Sequence, residues 1–199
     1  MISVLSHTDP PPSPLKHDSF MGVLIEWGCT WMWDSIVLVG KEDWIEKAIA
    51  NCSFVSVTDW SYMRELYPNV CSTAFIFECI DGTGRLIGSL PETTVSENAY
   101  QGELMGLMEI HLILLSINEM APALSGFVTI ISDCLGEIGR VENLPPHPIP
   151  IRCKHSDILK NILVSCCDVT FQRVFEHVDV HQDDMGSYES LQTYGCECE

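Results

Sequence analysis

The hydrophobic period changes twice between residues 52 and 133, and few folds accommodate both changes. Residues 52–60, CSFVSVTDW, alternate, with Val55, Val57 and Asp59 on one face, which predicts a strand. CSTAFIFEC, residues 71–79, predicts a second strand, and Asp81-Gly82-Thr83-Gly84 predicts a tight turn into a third, RLIGSL. Over residues 99–119 the spacing becomes helical, with Leu107, Ile110, Leu114 and Ile117 in one apolar stripe. FVTIISD, residues 127–133, is nearly all apolar and suits a buried central strand ending at Asp133. Pro145, Pro146, Pro148 and Pro150 make a loop; residues 156–165 predict a helix with Ser156 as N-cap, and residues 169–178 a last strand. The order βββ-α-β-(short α)-α-β predicts an α/β fold, a mixed five-stranded sheet with helices packed on it.

The rest of the chain is organised around that block. Residues 1–20 hold four prolines and predict a flexible leader. Residues 21–50 hold four of the five tryptophans, with helical character from Trp44 to Ala50, and serve as packing or a connector. Residues 51–199 form the main domain. With 46% hydrophobic residues a core can form, so disorder is excluded as the general state. A net charge of −18 argues against a free-standing binder of phosphate backbones, but is compatible with clustered carboxylates held together by divalent cations. The N-terminal residues show no basic head followed by an apolar run, so the expectation is an intracellular protein, cytoplasmic or nuclear, whose ten cysteines are mostly reduced. No run approaches 18 uninterrupted apolar residues, so no membrane span is expected.

Three acids occupy special positions in this layout. Asp59 ends the first strand on the face of its valines, and Asp133 sits at the carboxyl end of the apolar strand, where open α/β sheets place their ligands. Glu103, four residues before Leu107, heads the buried stripe of the long helix. Singly, each has an ordinary explanation: a strand-end turn former, a helix cap, a first-turn acid favoured by the helix dipole. Together they suggest chemistry, because carboxylates at the edge of a core are costly unless paired or bound to metal. Converging carboxylates hold hard divalent cations, and two such ions about 4 Å apart can clamp a phosphodiester and activate water.

Residues 52–184 resemble the ribonuclease H domain that follows reverse transcriptase in retroelement polyproteins. VSVTDWSY resembles the family's first strand, with Asp59 at its first catalytic acid. NAYQGELMGL resembles its helix start, with Glu103 at the second, and TIISDCLG its strand-end motif, with Asp133 at the third. FEHVDVHQDD resembles the last strand and histidine loop, with His181 at the mobile histidine that assists product release. WMWDSIVLVGKEDWIEKAI resembles the connector that precedes the domain in some such elements. The resemblance implies a ribonuclease H-like fold and a metal-dependent endonuclease that hydrolyses the RNA strand of RNA–DNA hybrids. It implies two Mg2+ ions, with Mn2+ as a substitute, on Asp59, Glu103 and Asp133, and as partners the hybrid and a reverse transcriptase domain of the same polyprotein.

Three departures qualify the match. Trp60 stands where the family has a small residue after the first acid. The fourth acid, an aspartate on a last helix, has no clear counterpart: Asp183 and Asp184 lie close to His181, and Glu189, Glu197 and Glu199 are weak substitutes, so the last helix is expected to be shortened or missing. The basic segment that grips hybrids in some members reduces to Arg152, Lys154 and Lys160. The alternatives are therefore an inactive remnant that keeps the fold as a nucleic-acid or protein interaction module, and an acidic interaction protein whose carboxylates are unrelated. Elsewhere, Cys196 and Cys198 with Cys166 or Cys167 make only a weak soft-metal pattern. His177 is expected as a strand residue, His111 as a structural helix residue, and Met105 and Met108 as core filler.

Overall fold

The structure is a computed structural model, and it describes residues 19–29, 31–32, 36–62, 70–93, 99–143, 149 and 155–178. Helix α1 (Phe20–Glu26), strand β1 (Val37–Val39) and helix α2 (Asp43–Ala50) precede the strands β2 (Phe54–Tyr62), β3 (Val70–Cys79) and β4 (Arg85–Thr93). Then come α3 (Ala99–Met120), β5 (Phe127–Ser132), α4 (Leu135–Glu142), α5 (Ser156–Asp168) and β6 (Gln172–His177). The expected α/β class and element order are observed. The sheet has six strands in the order β1-β4-β3-β2-β5-β6, one more than the sequence predicts. The addition is β1, which pairs antiparallel with β4 through Val37↔Ile87 and Val39↔Arg85. Three residues are too few for an alternation signal.

β2, β3 and β4 form the antiparallel meander, while β5 lies parallel to β2 and β6 parallel to β5. The β3–β4 turn follows its sequence: Gly82 takes φ 73°, and the Asp81 carboxylate accepts from Thr83 N at 2.9 Å. Helix α5 begins at Ser156, with His155 as its cap, one residue earlier than the sequence suggests.

Alternation gives the central strands two different faces. Phe54, Ser56 and Thr58 on β2 and Thr73, Phe75 and Phe77 on β3 are buried on one face. There Trp44 stacks on Phe54, with ring centroids 5.6 Å apart, and Phe54 meets Phe77 at 5.3 Å. Helix α3 lies on this face against β2 and β3, with α1 and α5 packed beside it. Before β2, Phe20, Leu24, Met32, Trp44, Ile45, Ala48 and Ile49 are buried in the same core. On the opposite face Val57, Asp59, Ala74, Ile76 and Ile87 are only half-buried, and Arg85 pairs with Glu78. Residues 1–18, the greater part of the expected leader, lie outside the described residues. Among the described residues no helix is long and apolar enough to cross a membrane, and Cys29, Cys52, Cys79 and Cys134 are free thiols.

Candidate active site

Parallel pairing runs towards two of the three acids. The β2–β5 register runs from Phe54↔Val128 to Val57↔Ile131. Asp59 lies two residues beyond the last pair on β2, and Asp133 two residues beyond it on the β5 side, just after that strand ends. Asp133 follows β5 directly, and its carbonyl accepts from His177 Nε2 at 3.0 Å, which ties the end of β6 to the same edge. The Asp59 carboxylate accepts from Trp60 N at 2.8 Å.

Helix α3 delivers the third acid, and two glycines set how close it comes. Gly102 lies against the Trp60 indole and Gly106 against Thr58 Oγ1, so tightly that a Cβ at either position would overlap those atoms. Spaced four apart, the two glycines share one helix face. Trp60 thus packs under α3, on the side of the strand opposite Asp59, and α3 reaches the sheet through a groove made by its own missing side chains.

Glu103, beside Gly102, is drawn in with the helix. It stands beyond the first turn, which contains no acid, so the helix dipole does not account for it. Its carboxyl is pushed up to about 8, first by burial, then by the negative charges of Asp133 and Asp59. Glu103 Oε2 is buried with no hydrogen-bond partner.

Two fully buried acids were not singled out in the sequence. Glu109, further along α3, receives Thr73 Oγ1 at 3.0 and 3.2 Å on its two oxygens. Glu137, in the first turn of α4, is fully buried; Ser132 Oγ donates to its Oε2 at 3.3 Å. A usable signal existed for both. Each falls at i, i+4 spacing from apolar residues of its own helix, as Glu103 does: Met105 and Ile113 around Glu109, Val141 after Glu137.

His111 is buried and structural: Nδ1 donates to the Leu107 carbonyl at 2.7 Å, and its ring stacks on Phe175 at 6.2 Å. Burial, then the Arg173 charge, pushes it down to about 3, against the pull of the Leu107 hydrogen bond. Met108 is buried and Met105 half-buried against the core. His181, the alternative fourth acids Asp183, Asp184, Glu189, Glu197 and Glu199, Cys196 and Cys198, and Arg152 and Lys154 lie outside the described residues.

The donor set at the sheet edge is all carboxylate oxygen, which hard divalent cations take, and Glu103 brings to it a buried oxygen that no protein group satisfies. By its chemistry the set fits such a cation. The acids are not yet gathered: among the described residues no three His, Cys, Asp or Glu side chains stand close enough together to hold a metal ion. Burial, and after it the repulsion of Asp133 and Asp59, raises the Glu103 carboxyl.

No family model and no curated protein matches the sequence. Solved structures similar to this chain include ribonuclease H domains. A foamy viral protease–reverse transcriptase in complex with RNA/DNA hybrid is 19% identical, over 67% of this chain and 18% of that one, with a TM-score of 0.48. An N-terminal RNase H domain from Mycobacterium tuberculosis, solved as a fusion with maltose binding protein, is 9% identical over 70% of this chain and 94% of that one, with a TM-score of 0.43. RNase H1 from the archaeon Halobacterium salinarum is 11% identical over 63% of this chain and 84% of that one, with a TM-score of 0.38. The chain spans about a fifth of the length of the foamy viral chains it matches, 18% and 20%.

Proposed function

We propose that this ribonuclease H-like α/β domain is a divalent-cation-dependent endonuclease that hydrolyses the RNA strand of RNA–DNA hybrids, as part of a retroelement-derived protein. The observation that carries the reading is the half-buried Glu103 carboxyl beside Gly102, whose Oε2 is buried with no hydrogen-bond partner and which feels the charges of Asp133 and Asp59. A fold seldom keeps such a group without a use for it, since an unpaired buried carboxylate is costly.

Asp59, Glu103 and Asp133 would hold the cations, Mg2+ or Mn2+. When bound, a pair of such ions supplies an activated water and stabilises the leaving oxygen of the phosphodiester. The protein's own contribution is placement. The parallel β2–β5 pairing runs towards Asp59 and Asp133, and the two glycines of α3 let the start of that helix, which carries Glu103, come close to β2. Recognition would rest on the shape and 2′-hydroxyls of the hybrid, since the chain offers little positive charge. His181 would assist release of the product.

A second reading, a silent remnant that keeps the fold as an interaction module, draws on the loose spacing of the acids. Incubation of the purified protein with an end-labelled RNA–DNA hybrid in Mg2+ separates the two. The nuclease reading expects RNA-strand cleavage that Glu103→Gln lowers at least about 100-fold. Intact hybrid with folded wild-type protein, in Mg2+ and in Mn2+, refutes it and leaves the remnant.

A further inference from the structure

The peptide that carries Asp133 is gripped by a side chain from the neighbouring strand. β5 ends at Ser132 and α4 begins at Leu135, so Asp133 and Cys134 belong to neither element. The carbonyls on either side of Asp133 have backbone partners. That of Ser132 accepts from Val178 N at 3.2 Å, and that of Cys134 takes the first bonds of α4, from Glu137 N at 3.0 Å and Ile138 N at 3.2 Å. The Asp133 carbonyl instead accepts from the His177 imidazole, with Nε2 3.0 Å from the oxygen. The β5–β6 register sets His177 opposite Ser132, at the last position of β6.

A carbonyl oxygen can only accept, so this bond keeps a proton on Nε2. His177 is exposed, and a hydrogen bond made at the surface adds little to stability. What it does is directional. It holds the peptide from which the Asp133 side chain projects, at the point where the chain turns from β5 into α4. Loss of the imidazole loosens that peptide while the strand before it and the helix after it stay paired. A site that must hold its carboxylates to within about 0.5 Å feels such loosening even where the overall fold does not.

We infer that His177 is a positioning residue for Asp133, setting through Nε2 the peptide that directs the Asp133 carboxylate. The inference rests on the reading of Asp133 as a residue of a nuclease site, and it brings to that site a side chain from β6.

Steady-state cleavage of an RNA–DNA hybrid by the full chain in Mg2+ tests it, with kcat per folded molecule and KM measured for wild type, His177→Gln, His177→Asn and His177→Leu. The Gln side chain carries its amide nitrogen as many bonds from Cβ as Nε2 of histidine and restores the donor. The Asn side chain carries it at the reach of Nδ1 and does not, and Leu has no donor. kcat is expected to fall about tenfold in His177→Leu and His177→Asn with KM unchanged, and to stay within about twofold of wild type in His177→Gln. The melting temperatures of these variants should stay close to that of wild type, as at other exposed positions. Without substrate, the Asp133 carbonyl carbon resonance should move in His177→Leu and His177→Asn and keep its place in His177→Gln. An unchanged kcat in His177→Leu, a loss that His177→Gln fails to restore, a loss carried by KM, or a carbonyl resonance indifferent to the donor overturns the role of His177, while wild-type cleavage leaves the nuclease reading standing. Intact hybrid with folded wild type, in Mg2+ and in Mn2+, overturns that reading and the positioning role with it.

Discussion

Helix α3 carries two inward-facing glutamates whose surroundings differ. Glu109, in mid-helix, is fully buried, and Thr73 donates to its carboxylate. Glu103, six residues earlier, has a buried oxygen with no donor and two aspartate charges nearby. Burial alone therefore does not mark a functional acid in this molecule. A buried carboxylate supplied with a donor holds the fold together. One supplied mainly with other carboxylates raises the energy of the fold until a cation or a proton compensates it.

The contrast can be broken first at the level of activity. Glu103→Gln should lower hybrid cleavage at least about 100-fold with no loss of stability, whereas Thr73→Val should do the reverse. Removing the hydroxyl that serves Glu109 should cost about 1–3 kcal/mol in a urea melt and leave cleavage per folded molecule unchanged. If Glu103→Gln destabilised the protein as much as Thr73→Val, the two glutamates would be playing the same part.

The glycine face of α3 gives the next test. Gly102→Ala gains helix propensity of at most about 1 kcal/mol but drives a methyl into the Trp60 ring, and is expected to destabilise by a net ~1–3 kcal/mol. Because it lifts Glu103 from the sheet edge, cleavage should fall as well. Gly139→Ala in α4 meets nothing within 4 Å and should stabilise by about 0.5–1 kcal/mol, with cleavage unaltered. Equal responses at the two glycines, followed by thermal melting, would show that α3 does not approach β2 as described.

The smallest effect is one of pH. In the folded chain Glu103 is held up to about 8, against an ordinary value of 4.5. Between those values the folded state binds a proton that the unfolded state does not, so this contribution is full below 4.5 and is lost as pH rises through 8. Gln at this position cannot titrate. In cation-free buffer, the melting temperature of Glu103→Gln relative to wild type should therefore rise from pH ~5 to ~9. A constant difference would mean that neither burial nor the neighbouring acids hold Glu103 above its ordinary value.

These contrasts also show what could be read from the sequence. The meander, the long helix and the central strand were legible because their apolar residues repeat at fixed periods over six or more positions. Asp59, Glu103 and Asp133 stood out because each breaks or ends such a pattern. β1 was not legible, since Val37-Leu38-Val39 is too short to show a period and is a strand through its pairing with β4. Trp60 was only a departure from the family's small residue until its partner was seen. The ring fits under α3 because Gly102 is there, and a pairing between residues 42 positions apart leaves no mark on a local pattern. Glu137 was passed over because a lone acid in a short helix resembles ordinary surface charge; only its burial and the Ser132 contact set it apart.

The most direct measurement is an anomalous diffraction map from crystals of this protein soaked in Mn2+. A peak bounded by the carboxylates of Asp59, Glu103 and Asp133, at about 2–2.5 Å from their oxygens, is the expected result. A map with manganese elsewhere, or with none while the three side chains remain ordered and apart, would contradict a cation site at this edge of the sheet.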